Sequence, residues 1–414
     1  MAAPDRARHR LYVAVRRDHR WVAVLEGDRL VEFHRESEGE DVRAGDVYLG
    51  RIIRVDKGLG AAFVDIGRQP AAFLPLGELL APAVEGAKAI VQIEREARGA
   101  KGPRATARPT LVGARLVLMP GRRAVSLSER ITDKAERARL SALVKSIAED
   151  GEGLTVRTSA AGASENQLRD EAAALRTMWR DLLDLQHKQQ PPTILQRQPS
   201  IDLRLVRDLG ASFDVVVYDH RGAAEASMAW CRTTMHDSVP PIKFQGSTEW
   251  RPTPAEILEQ AEGGVQPRIT LPSGGSILIE PTEALTVIDV NTESAGAHAA
   301  HGSERVHLRT NLGAAEEIAR QIRLRNIGGI IVVDFIDLKD VAGRRQVVDR
   351  LRAQTASDSA PVWVGAMSRL GLVELTRKRR GPTLMDMLTQ PCSACEGTGR
   401  IMRDERWVRT TDAT

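Results

Sequence analysis

Cysteine is scarce. Three cysteines among 414 residues cannot staple a chain of this length, which excludes a disulfide-framed module and fits a reducing, cytoplasmic setting. Aromatic residues are few, 4% of the chain with six Phe and three Tyr, so each ring on a strand calls for a reason. Long apolar runs are missing: none approaches the ~18–20 residues that a membrane-spanning helix needs. Residues 1–10 are charged and lack an apolar core, so no secretory signal is expected there. A surplus of one charge is missing as well, since 59 Lys+Arg stand against 55 Asp+Glu, a formal net charge of +4. That balance only weakly favours a nucleic-acid partner.

What is present is length and apolar content. A composition of 42% hydrophobic and 28% charged residues supports folded cores and not net disorder. At about 100–200 residues per domain, the length predicts two to four modules. Residues 11–15, 21–25 and 29–33 are short β-rich runs, the last following the turn signal Gly27-Asp28. Residues 47–53, 61–67 and 72–75, punctuated by glycine, predict a small closed barrel. The Gly/Pro/basic stretch 97–109 reads as a hinge or a nucleic-acid-facing linker. Strands are expected at 114–119 and 153–158, and a helix over 133–149. Ser164 is a candidate N-cap for a helix to about His187, in which Leu168, Ala172, Leu175, Trp179 and Leu182 form one apolar stripe. The Gln/Pro-rich stretch 186–199 reads as a linker.

Strands and helices then alternate. Strands are expected at 213–218, 277–279, 285–290, 330–335 and 361–365, and helices at 253–262, 310–326 and 341–354. Gly328-Gly329 is expected to end the second of these helices through a left-handed glycine.

Two acidic residues close apolar strand runs, Asp289 and Asp334. Catalytic groups in α/β layers sit at the carboxyl ends of strands, and two strands of one sheet can bring such carboxylates within reach of one metal. Magnesium takes a few carboxylate oxygens and keeps several waters. It can orient an attacking water and neutralise a phosphoryl oxygen. Asn291 lies two residues beyond Asp289 and points to the same side of an extended chain. The plainer alternative is that each Asp caps a helix or turn after its strand.

Cys392 and Cys395 form a Cys-x-x-Cys ahead of Gly397 and Gly399, a spacing that gives two thiolates to one zinc. Cys231 is the only other cysteine and no His follows His307, so one chain offers half a site and two chains complete a four-thiolate tetrahedron. A redox dithiol and a loop with two free cysteines are the alternatives. Phe63 and Phe73 fall on predicted barrel strands near Arg51, Arg54, Lys57 and Arg68, placed either to stack bases or to fill the barrel. Arg320, Arg323 and Arg325 read as a solvated helix face with a Glu316–Arg320 pair. Arg369 and the basic run 377–380 read as phosphate-neutralising candidates. His298, His301 and His307 have the chemistry of metal ligands but occupy a segment that reads as a loop.

Residues 271–291 (LPSGGSILIEPTEALTVIDVN), 310–338 (TNLGAAEEIARQIRLRNIGGIIVVDFIDL) and 368–378 (SRLGLVELTRK) carry a family resemblance. So do 392–399 (CSACEGTG), 61–67 (AAFVDIG) and 72–75 (AFLP). In this order and spacing the chain resembles the ribonuclease E/G family of bacterial endoribonucleases over nearly its whole length. The resemblance implies an α+β fold of several subdomains. An RNase H-like subdomain would comprise 1–43 and 200–264, with an OB-fold RNA-binding barrel at 44–107 and a 5′-sensor subdomain at 108–199. A DNase-I-like catalytic subdomain at 265–386, a zinc-link at 387–400 and a tail at 401–414 would follow.

The same resemblance implies Asp289 and Asp334 as Mg²⁺ ligands with Asn291 in support, and Asp337 as the alternative second ligand. It implies a 5′-monophosphate pocket of Gly113, Val117, Arg130, Arg157 and Thr158, in which Arg157 can fork onto the phosphate and Thr158 can donate a hydrogen bond. Phe63, Phe73 and Lys101 match residues that hold RNA. A Zn²⁺ shared through Cys392 and Cys395 implies a homodimer. Departures from the family pattern are Ser393 in place of proline, Gly313 in place of an acidic residue, and an Ala/Gly/His-rich segment between Asn291 and Thr310. The short stretch after the zinc-link resembles the compact ribonuclease G type.

The expectation is a cytoplasmic, Mg²⁺-dependent endoribonuclease that cuts single-stranded RNA, with ribosomal-RNA precursors and messenger RNA as substrates. Products would carry 5′-phosphate and 3′-hydroxyl ends, and 5′-monophosphorylated RNA would be favoured. The alternatives are a non-catalytic RNA-binding or ribosome-associated protein, and a redox protein built on Cys392 and Cys395.

Overall fold

The computed structural model describes residues 9–37, 42–79, 82–97, 101–235, 239–292, 304–379 and 381–395. The chain is mixed α and β and divides into two units, Met1–Leu258 and Glu259–Thr414.

The first unit holds three sheets. His9–Val15 pairs antiparallel with His19–Glu26 and parallel with Val215–Tyr218, so strands distant in sequence share one five-stranded sheet. Its buried face carries Leu11, Val13, Val22 and Val24, which pack with Val206, Tyr218 and Cys231 into one core.

A closed five-strand barrel, consistent with an OB-fold, forms the second sheet. Val47–Asp56, Ala61–Asp65, Ala72–Pro75, Arg104–Thr106 and Lys88–Arg95 pair in that order, and Val47–Asp56 pairs again with Lys88–Arg95 to close the ring. Closure leaves few of the unpaired edge groups a small open sheet would expose. Gly50 permits the close packing, because a Cβ there would collide with Val64. Two expectations change here. Thr193–Gln196 is a strand paired with Val47–Asp56, not linker, and Arg104–Thr106 is a barrel strand within the stretch read as a hinge. Backbone pairing to a ready edge outweighs weak local composition in both.

The third sheet orders Val125–Leu127, Glu152–Val156, Leu116–Pro120 and Leu111–Val112. Two capped helices pack into its core. Asp133 accepts from the N–H groups of Ala135 and Glu136 at the start of Lys134–Ile147. Ser164 and Gln167 form a capping box on Glu165–Lys188, whose buried Leu168, Ala172, Leu175 and Leu182 belong to the predicted stripe.

The second unit is a six-stranded sheet ordered Arg268–Thr270, Ser276–Pro281, Leu285–Asn291, Gly329–Asp334, Leu372–Arg377 and Val362–Met367. Leu285–Asn291 and Gly329–Asp334 run parallel, and the helix Glu304–Leu324 lies in the crossover between them. Ile288, Val290, Ile331 and Val333 pack with Ala315, Ile318, Ile322, Val347 and Leu351.

Four local expectations are corrected in this unit. The helix begins at Glu304, ahead of the predicted Thr310. Asn326, at φ 51°, takes the left-handed position expected of Gly328-Gly329, and its amide donates to Pro382 O at 2.8 Å. Arg377 is buried and structural: it donates to Asp358 Oδ2 at 2.8 Å, and to Asn326 Oδ1 and Ile327 O at 3.0 Å each. Arg323 and Arg325 are buried as well, not a solvated face. Burial and then the charge of Arg320 push the Arg325 guanidinium down to about 10, and it is held by Gln321 and by the Gln266 carbonyl.

Candidate active site and RNA-binding surface

Asp289 and Asp334 are register partners on adjacent parallel strands. Their neighbours Ile288, Val290 and Val333 are buried in the core, so strand alternation turns both carboxylates to the opposite face. Strands lie about 4.8 Å apart, which keeps the two side chains within reach of one ion. Asn291, next on that face, donates from Nδ2 to Asp289 Oδ2 at 2.6 Å. Asp289, Asn291, Thr292, Asp334, Asp337 and Leu370 line an open cleft of about 450 Å³. Loss of part of its water shell, and then the charges of Asp289 and Asp337, push the Asp334 carboxyl above its ordinary range.

A cation would relieve this gathered negative charge. Two facing carboxylates beside open space suit magnesium, which takes one or two carboxylates and keeps its waters. Among the described residues no group of three or more His, Cys, Asp and Glu side chains forms a metal cage, so a closed zinc-type donor set does not fit the cleft.

Sequence reading missed Asn311. This side chain is 0% exposed, donates to Ile336 O at 2.7 Å and accepts from Ile336 N–H at 3.1 Å. It fastens the loop between Asp334 and Asp337 to the Glu304–Leu324 helix. The available signal was a polar residue within the apolar spacing Leu308, Leu312, Ala315. His307 lies in the same helix, not in a loop, with Nδ1 3.3 Å from Asp337 O. His298 and His301 lie outside the described residues.

On the barrel, Phe63 and Phe73 are cross-strand partners with ring centroids 6.0 Å apart and planes at 83°. Ala62, Val64, Ala72 and Leu74 fill the interior, so alternation puts both half-buried rings on the outer face. The Arg54 guanidinium sits 4.1 Å over the Phe63 ring. Lys101 is exposed.

The residues expected at a 5′-phosphate pocket gather around the third sheet. Arg157 donates to Gly113 O at 2.5 Å and to Asp208 Oδ1 at 2.6 Å. Arg207 donates to the same carboxylate oxygen at 2.8 Å. Burial opposes the charge on Asp208, but Arg207 and Arg157 outweigh it and hold the carboxyl below its ordinary range. Gly113 has no room for a side chain because Glu171 lies against it. Thr158 and Arg130 are exposed and meet through Ser128, a residue sequence reading missed. The Ser128 and Thr158 hydroxyls are 2.9 Å apart, and the Arg130 N–H donates to Ser128 Oγ at 3.3 Å. Val117 sits on Leu116–Pro120, paired with Thr155.

Cys392 is exposed and Cys395 half-buried. Cys231 is buried, and burial pushes its thiol up to about 11, which keeps it inert. Gly397 and Gly399 lie outside the described residues.

The sequence profile of the Ribonuclease E/G family matches residues 110–380. The chain is 34% identical over 413 residues to ribonuclease E of Haemophilus influenzae, covering 95% of this chain and 44% of that protein. It is 36% identical over 411 residues to ribonuclease E of Nostoc sp., covering 94% and 59%. Against ribonuclease G of Escherichia coli K12 it is 32% identical over 403 residues, covering 92% and 82%. The chain belongs to the ribonuclease E/G family. It spans about half the length of the two ribonuclease E relatives.

Proposed function

We propose that this chain is a Mg²⁺-dependent endoribonuclease, hydrolysing single-stranded RNA in the cytoplasm. The observation that carries the reading is the in-register placement of Asp289 and Asp334 at the ends of neighbouring parallel strands, beside Asn291 in an open cleft. Asp289 and Asp334 would hold the ion. When bound, magnesium would lower the pKa of a water and neutralise a phosphoryl oxygen. Asn291 fixes the Asp289 carboxylate through its 2.6 Å hydrogen bond, and its remaining amide hydrogen can orient the attacking water. Water is the nucleophile in place of the ribose hydroxyl, so the products carry 5′-phosphate and 3′-hydroxyl ends.

Phe63 and Phe73 offer ring faces for stacking, and Arg54 and Lys101 supply positive charge for the backbone. Arg157, Thr158, Arg130, Gly113 and Val117 would receive a 5′-monophosphate. Cys392 and Cys395 of two chains would share one Zn²⁺ and link a homodimer. Ribosomal-RNA precursors and messenger RNA are the substrates in this reading.

The decisive variant is Asp334→Asn. It should abolish cleavage of a short single-stranded RNA while leaving RNA affinity within about twofold, because barrel contacts carry binding. Equal cleavage by variant and wild type would sink the assignment. Binding without cleavage by both would favour a non-catalytic RNA-binding protein.

A further inference from the structure

Leu370 lines the carboxylate cleft and is nevertheless 76% exposed. It occupies the tip of the turn between the strands Val362–Met367 and Leu372–Arg377. This turn is locked. Ser368 N–H donates to Leu372 O at 2.8 Å and Gly371 N–H donates to Ser368 O at 3.2 Å. Ser368 Oγ accepts from the N–H groups of Leu370 and Leu372, at 3.2 Å each. Gly371 has φ 82°, and a Cβ on it would meet Phe335 O at 3.0 Å and Asp337 Oδ1 at 3.4 Å. Phe335 N–H in turn donates to Gly371 O at 3.3 Å. The turn is therefore seated directly on the loop that follows Asp334 and carries Asp337.

A loose loop could fold its apolar tip away from water. This one holds a leucine up in solvent, fixed relative to the carboxylates. The part of a nucleic acid that can cover such a side chain is the flat face of a base. Apolar side chains, leucine among them, act elsewhere as wedges that part stacked bases. Single-stranded RNA is recognised through unstacked bases splayed onto side chains, so a wedge beside the carboxylates suits such a substrate.

We propose that Leu370 is a base-contacting residue of the cleft: it packs against the base next to the scissile phosphate and holds that base out of its stack. The inference rests on the endoribonuclease reading. The contact uses no hydrogen bond, so it selects unstacked RNA and tolerates different bases.

The test uses the full chain and a short 5′-monophosphorylated RNA with one mapped cleavage point, carrying either a normal base or an abasic ribose at each flanking position. Leu370→Ala should lower kcat/KM about tenfold on the normal RNA, and Leu370→Phe should retain most of the rate, because an aromatic face also stacks. On RNA abasic at the contacted position, wild type and Leu370→Ala should cut equally. The side chain is exposed, so melting temperature and oligomeric size should match wild type. Wild-type rates for Leu370→Ala, the same penalty on normal and abasic RNA, or a changed oligomeric state would overturn the proposal. Failure of the wild-type chain to cut any of these RNAs would overturn the nuclease reading itself, and this inference with it.

Discussion

Replacing Asn311 with alanine should cost turnover more than stability. The change removes two hydrogen bonds, one in each direction, between the Asn311 amide and the Ile336 backbone. Each is worth about 0.5–1.5 kcal/mol net, and the half-buried Ile336 groups partly recover water, so the loss of stability should be about 1–3 kcal/mol. The effect on rate follows from geometry. Ile336 stands between Asp334 and Asp337, and a shift of about 1 Å in a positioned catalytic group can cost on the order of 10²-fold. Asn311→Ala should therefore lower kcat about 10- to 100-fold while KM for RNA, set largely by barrel contacts, moves less than about threefold. Urea unfolding gives the stability change, and steady-state cleavage of a short 5′-monophosphorylated RNA at saturating Mg²⁺ gives the split. Asn311→Asp keeps the acceptor for Ile336 N–H but sets a carboxylate against Ile336 O, so it should not rescue. A wild-type kcat in Asn311→Ala, or a defect wholly in KM, would refute the reasoning.

Further outcomes are expected elsewhere. Phe63→Ala should weaken binding of a single-stranded RNA by about 1–3 kcal/mol, measured by fluorescence anisotropy; unchanged affinity would remove the barrel face from the RNA path. Arg377→Met takes the guanidinium from buried Asp358 and should destabilise unfolding in urea by about 3–5 kcal/mol. If Lys378→Ala, on an exposed neighbour, costs as much, the ion pair is not the cause. Asp208 has a depressed carboxyl, so its ion pairs contribute fully above its ordinary 3.8 and are lost as pH falls through the folded value. Thermal midpoints of wild type should fall more steeply than those of Asp208→Asn between about pH 4 and pH 2, and parallel slopes would contradict that.

The parts of the site visible in the sequence were those written as local pattern. Asp334 ends the unbroken apolar run 330–333 and Asp289 the largely apolar run 285–288, and such runs are what a buried parallel strand looks like. Ser164 announced its helix because capping is a short-range signal. What pattern could not supply was register. Nothing in the composition says that residue 289 sits opposite 334: strand pattern offered both carboxylates to one metal, and the family resemblance made them a pair. Burial of charge was equally hidden. Arg377 reads as one member of a basic run, yet Asp358 and the carbonyl of Ile327 fold it inward. Thr193–Gln196 lies in a Gln/Pro-rich stretch whose strand character comes from the barrel edge it joins. Asn311 and Ser128 went unnoticed for the same reason, since each acts through contacts that include a segment distant in sequence.

The central claim is best tested by cleavage of one short, unstructured RNA bearing either a 5′-monophosphate or a 5′-hydroxyl, with Mg²⁺ or with chelator. The account predicts cutting only with Mg²⁺, faster on the monophosphate, leaving 5′-phosphate and 3′-hydroxyl ends. Cutting that persists in chelator, or products that end in a cyclic phosphate, would contradict the water-and-metal site built on Asp289 and Asp334.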